Sequence, residues 1–137
     1  MRFMILVKAT RDFEAGKQAP ESLFGAMATY QEQLAKAGIL LDGSGLQPSS
    51  KGWRVRYSGD ERTLVDGPFA ETDELVAGYT LIQTKTREEA LEWARRFPNP
   101  SLDRGEAEIE VRQLSELVDF EPNLEIERFA AIKELGR

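Results

Sequence analysis

The chain has neither cysteine nor histidine among its 137 residues. Without cysteine there is no disulfide, no thiol nucleophile and no thiolate metal site, a composition that fits a cytoplasmic protein. Without histidine the commonest general base, the commonest transition-metal ligand and the usual haem ligand are all missing. A histidine-based serine hydrolase is excluded, because Ser44, Ser49 and Ser50 have no imidazole to activate them. Acid–base chemistry is left to carboxylates, tyrosine, lysine, hydroxyls and the backbone. No cofactor is implied and no metal is expected, since an oxygen-only site would rest on scattered carboxylates such as Asp66, Glu71 and Glu74. Long apolar runs are absent too. Nothing approaches the ~20 residues that span a bilayer, and Met1–Lys8 is too short for a signal peptide and has no small-residue cleavage site after it. Positive charge is scarce: 18 lysines and arginines face 24 acids, for a net charge of −6. A nucleic-acid partner is therefore not expected, because phosphate contacts need clustered cations and Arg54 with Arg56 is too small a patch.

What is present is enough apolar residue, 41%, for one core. Arg2 to Lys8 reads as a central strand and Ala9 to Ala19, polar with Gly16, as a loop. Leu23, Met27, Tyr30, Leu34 and Ala37 recur at helical spacing after Pro20, and Gly38 serves as the stop. Ile39 to Asp42 is a short strand, followed through Gly52 by a loop or broken edge segment rich in glycine and serine. Trp53, Val55 and Tyr57 alternate with Arg54, Arg56 and Ser58. The Ser58–Glu61 turn then returns the chain through Arg62 to Asp66 as a hairpin. Leu75 to Thr84 is a longer strand whose Gly78 marks a bulge or a close approach. Thr86 and Glu89 form a capping box for a helix carrying Ala90, Ala94 and Phe97, which Pro98 ends. Ala107, Ile109 and Val111 alternate with polar residues in a last strand. The order is β-α-β, a hairpin, then β-α-β. It predicts a ferredoxin-like α+β domain: an antiparallel sheet with two helices on one face. The bare face of such a sheet calls for a second copy. Residues 115–137 follow as an extension with a helix, in which Ile126, Phe129, Ile132 and Leu135 lie three apart. That extension is expected to pack on the domain or on a partner subunit.

The run Asp66-Gly67-Pro68-Phe69-Ala70-Glu71-Thr72 makes unusual backbone demands. Glycine opens conformations closed to other residues, and proline fixes its own φ and restricts its predecessor, so Gly67 is expected to hold such a conformation. Asp66 either ties the loop down through an Asx-turn or acts as a base or ligand anchor at a pocket mouth. Phe69 is an apolar plug. Glu71 and Glu74 form either a solvated acidic turn or a carboxylate pair. Arg54 either faces solvent, paired with Glu108, Glu110 or another carboxylate, or receives an anionic ligand. Tyr30 is core by its position on the helical stripe, with a hydroxyl that needs a partner. Trp53 and Tyr79 read as core or interface aromatics.

With Asp73-Glu74, the run resembles the DGPFAETKE signature of the YCII-related family, Asp73 standing where the signature has lysine. The resemblance continues in Ala37–Ser49, Gly78-Tyr79, Glu88–Ala94 and Ile109–Arg112, and covers roughly residues 1–114. It implies a ferredoxin-like domain that dimerises as an α+β barrel, and no defined activity. The His-Asp pair of some members does not carry over to a chain without histidine. If the chain is an enzyme, the resemblance implies lyase- or isomerase-like proton transfer on a small cyclic or phenolic compound. Asp66 would then accept the proton, Tyr30 and Arg54 would orient the substrate, and Phe69, Glu71 and Trp53 would line its pocket. The alternatives are a non-catalytic accessory or ligand-sensing module acting through protein contacts, as in related domains associated with sigma factors, and a purely structural homodimer.

Overall fold

In the computed structural model, which describes residues 1–136, one four-stranded antiparallel sheet carries the domain. It is built from β1 (Arg2–Lys8), β2 (Leu40–Gly45), β5 (Val76–Gln83) and β6 (Ile109–Gln113), in the order β2-β5-β1-β6. Two helices, α2 (Glu21–Lys36) and α3 (Arg87–Arg95), make the crossovers and pack on one face. This is the ferredoxin-like α+β arrangement expected from the alternation of strands and helices.

The register defines what each face of the sheet carries. Phe3, Ile5 and Val7 of β1 lie level with Ile82, Thr80 and Gly78 of β5, and β2 adds Leu40, Gly43 and Gly45 on the same side. That side meets the helices: Phe3, Ile5 and Ile82 are buried with Tyr30 and Leu34 of α2, Ala90 of α3 and Phe97. The helical stripe of α2 is therefore real, and it divides. Its C-terminal half, Tyr30 and Leu34, closes the core, while Leu23 and Met27 sit further along the sheet, half-buried. Gly38 stops the helix at φ +74, in the region open to glycine. Thr86 caps α3 by accepting from Glu89 N at 3.1 Å, and the Glu89 carboxylate reaches back to Lys85 N.

Two local expectations are corrected. The segment expected to be loop after β1 contains a short helix, α1 (Arg11–Glu14), which Thr10 starts by accepting from Phe13 N at 3.2 Å. Strand β2 runs on through Gly43-Ser44-Gly45, because their backbones pair with Thr80, Tyr79 and Gly78 whatever the side chain. The hairpin, β3 (Trp53–Ser58) with β4 (Glu61–Asp66), turns at Gly59 (φ +60) as expected and forms a two-stranded sheet of its own.

After β6 the chain is tied back to β1. Arg2 donates to both carboxylate oxygens of Glu116, at 2.8 and 2.9 Å. That hydrogen bond, more than the charge alone, holds Glu116 below its ordinary proton affinity and Arg2 above its own. A 3₁₀ turn, Leu117–Asp119, leads to α4 (Leu124–Leu135), which Asn123 caps by accepting from Ile126 N. The last residue of the expected extension, Arg137, lies outside the described residues.

Candidate functional site

On the helix side of the sheet, at the β2–β5 corner, side chains run out. Gly45 lies level with Gly78, so two neighbouring positions that elsewhere hold apolar side chains hold none. The space left over is a cavity of about 280 Å³ between sheet and helices. Val7 and Thr80 floor it; Phe13 of α1 and Leu23, Phe24 and Met27 of α2 roof it; Phe97, Pro100 and Leu102 wall one end. Gly43 has its own reason to be glycine, since a Cβ there would lie 3.2 Å from Gln31 Nε2, which leans over the strand. Gln31 and Thr80 are the polar side chains on the helix side, and none of the described charged residues lines the cavity. Gly78 also lets β2 come close, because its Cβ would stand 3.0 Å from Ser44 O.

A second network holds the Asp66–Thr72 loop. Glu14 of α1 accepts from Ser49 N at 2.9 Å and from the Ser49 hydroxyl, and Ser49 Oγ accepts from Phe69 N at 3.0 Å. Gly67 N donates to Gly52 O, and the Gly67-Pro68 peptide bond is cis. Gly67 is expected from the sequence to hold a backbone conformation poorly open to other residues, and the restriction comes from its surroundings rather than from a left-handed φ. Its φ lies outside that region, and glycine is required because a Cβ would stand 1.8 Å from Ser49 O. Glu14 adjoins Phe13, so the same carboxylate that pins the loop also fixes the short helix roofing the cavity.

The six candidate site residues fall into three groups. Arg54, Phe69 and Glu71 come together: the guanidinium lies 3.9 Å from the Phe69 ring centroid, and Arg54 Nη1 is 3.9 Å from Glu71 Oε2. Of the carboxylates open to Arg54 in the sequence, its partner is Glu71, and Glu110 pairs with Arg112. Asp66 and Trp53 lie level on the opposite face of the hairpin, both exposed. Tyr30 belongs to neither group. It is buried, donates to Trp93 O at 2.7 Å, and meets the rings of Trp93 and Phe97 edge-on. Burial pushes its phenol up to about 12, against a smaller opposing pull from Arg96, so it stays neutral at physiological pH. None of the five principal cavities among the described residues is lined by Asp66 or Tyr30. The structure thus does not bring Asp66, Arg54 and Tyr30 to one point.

Two other features bear on the site. A wider groove of about 1000 Å³ runs past Lys8, Arg11, Asp73, Glu106 and Glu108, and its lining carries both signs of charge. On the bare face of the sheet Tyr79 donates to Asp42 Oδ2 at 2.9 Å, which holds its phenol above the ordinary value.

An α+β domain with a ferredoxin-like sheet and an apolar cavity under its helices is the class this geometry defines. The chain belongs to the YCII-related family, whose domain model matches residues 1–115. It is 32% identical over 93 residues to the uncharacterized protein R00369 of Rhizobium meliloti (strain 1021), an alignment that covers 68% of this chain and 75% of that protein. Among solved structures, 5-chloro-2-hydroxyhydroquinone dehydrochlorinase (TftG) from Burkholderia phenoliruptrix AC1100, in complex with 2,5-dihydroxybenzoquinone, aligns with a TM-score of 0.45 and 14% identity. That alignment covers 84% of this chain and 94% of that one. No described helix is long and apolar enough to cross a membrane.

Proposed function

We propose that this is a homodimeric, cytoplasmic ligand-binding domain that takes a small neutral, largely apolar molecule of single-ring size into the glycine-lined cavity. The observation that carries this reading is the wall chemistry: about 280 Å³, apolar on almost every side, with Gln31 and Thr80 offering polar groups. The volume lies near the lower end for small-molecule sites, and a few polar groups in an apolar lining are what orient a ligand. A charged ligand would leave water for walls that hold no counter-charge, which costs several kcal/mol. The cysteine-free composition supports the cytoplasmic setting. Dimerisation is supported by Met4, Leu6, Tyr79 and Leu81, which lie level on the sheet face opposite α2 and α3. On this reading residues 1–114 are the binding domain and 115–137 an appended segment.

A second reading is proton transfer at Asp66, with Arg54 orienting a substrate. Arg54, Phe69 and Glu71 gather at the hairpin root, whereas Asp66 lies beside Trp53 on the opposite face, so this is the weaker of the two readings. A thermal-shift comparison separates the two. Phenol and para-cresol should raise the melting temperature by several degrees near 100 times Kd, where linkage contributes ~2.7 kcal/mol, and benzoate should not. Asp66→Asn should respond like the wild type. A response that disappears in Asp66→Asn would move the site to the hairpin, and silence across the neutral probes would end the cavity reading.

A further inference from the structure

Two elements of the chain present several large apolar side chains to solvent. On the hairpin, Trp53, Val55, Tyr57, Arg62, Leu64 and Asp66 share one face by register. Trp53 is 64% exposed, Tyr57 67% and Leu64 69%. A lone two-stranded hairpin is marginally stable in water. This one is a separate sheet, held to the domain at its base by Gly67 N to Gly52 O, by the Ser49 hydroxyl and by Arg54 with Phe69 and Glu71. On α4, Leu124, Phe129, Ile132 and Leu135 are all more than half exposed. At ~100° per residue they fall within an arc of about 140°, which also takes in Arg128 and Glu125, while Ile126 lies off that arc and is half-buried. The helix packs chiefly on the 3₁₀ turn at Leu117–Asp119.

We propose that these faces are made for each other across a two-fold axis, α4 of one protomer lying on the hairpin face of its partner. The area is sufficient. At roughly 100–150 Å² each, the eight side chains present on the order of 1,000 Å² per protomer, against the ~800 Å² per partner of a standard stable interface. A reciprocal contact of this kind closes a dimer and leaves neither face over. Charged residues lie on both surfaces: Arg62 and Asp66 on the hairpin face, and Glu125 and Arg128, paired with each other at 2.9 Å, within the arc on α4. A membrane is a poorer occupant: α4 carries Glu125, Glu127 and Glu134 against Arg128 and Lys133, and lacks the cationic face that anionic lipid attracts. Asp66 acquires a role that requires no catalysis, as a recognition residue beside Trp53. This inference stands independently of the cavity.

The cysteine-free background makes the test direct. Leu64→Cys on the hairpin and Ile132→Cys on α4 are introduced in separate chains, one enlarged by a tag, and co-expressed. The preparation is then treated with a short bis-maleimide. The mixed pair should cross-link many-fold more than either variant alone, and Trp53→Glu in both chains should abolish the product. Equal cross-linking of like pairs would overturn the contact. So would a product of monomer mass from a chain carrying both cysteines. A dimer by light scattering without the 64–132 product would overturn the hairpin–helix contact while leaving a dimer through the bare sheet face standing; a monomer would remove both.

Discussion

Gly67→Ala should lower the melting temperature by on the order of 5–15 °C, making it one of the most damaging single-methyl additions available in this chain. The added Cβ would stand 1.8 Å from Ser49 O and 2.7 Å from the Ser49 carbonyl carbon. Both are backbone atoms that no rotamer change can move. The loop must therefore lift off the 3₁₀ turn at Ser49–Lys51. Lifting it strains or breaks the bonds from Gly67 N to Gly52 O and from Phe69 N to Ser49 Oγ. Overpacking costs about 1–3 kcal/mol and each lost bond about 1 kcal/mol, within a total stability of roughly 5–15 kcal/mol. Gly52→Ala is the matched control, because its Cβ would meet Ser49 O at an ordinary 3.7 Å. Differential scanning calorimetry of the two variants reads the difference. Equal melting temperatures would mean that the loop is not seated on Ser49.

Gly45→Leu should have the largest effect on binding with almost none on folding. A Cβ at Gly45 meets nothing within 4 Å, and the residue lies level with Gly78 on the cavity side of the sheet. An isobutyl group there enters the space a ligand would occupy. Replacing a strand glycine also removes a conformational-entropy penalty of roughly 0.5–1 kcal/mol. The expected result is an unliganded melting temperature equal to or above that of the wild type, with complete loss of the shift that phenol produces. An undiminished shift in the variant would place the ligand elsewhere. Gly78→Leu is the less clean choice, since Ser44 O at 3.0 Å would confound binding with strain.

Much of the fold was legible because its signals are periodic and local. The α2 stripe, the alternation in β3 and the turn at Gly59 all appear as patterns within a few residues. The short helix α1 was hidden because it offers a single apolar residue, Phe13, in a polar stretch, although Thr10 was a legible cap. The continuation of β2 was hidden because glycines have no β preference, and the strand exists through its pairing with β5. The candidate site was scarcely legible at all. Pattern reading looks for side chains that are present, whereas this cavity is made by side chains that are absent. Gly45 and Gly78 come together only through strand register. Likewise Glu14, Ser49 and Phe69 are joined across gaps of 35 and 20 residues. The Asp66–Thr72 loop was conspicuous in the sequence for its geometry, and Glu14, the residue that holds it, carried no signal.

The chain's three methionines allow the cavity itself to be observed. Met27 lines it, Met4 faces the other side of the sheet, and Met1 lies at the end of β1, its amino group on Thr84 O. Protein labelled with ¹³C at the methionine methyls would give one resonance for each, titrated with phenol by NMR. The expected result is a saturable shift of Met27 with Met1 and Met4 unmoved. A saturable shift of Met4 without Met27, or no shift at any phenol concentration, would contradict a ligand site under the helices.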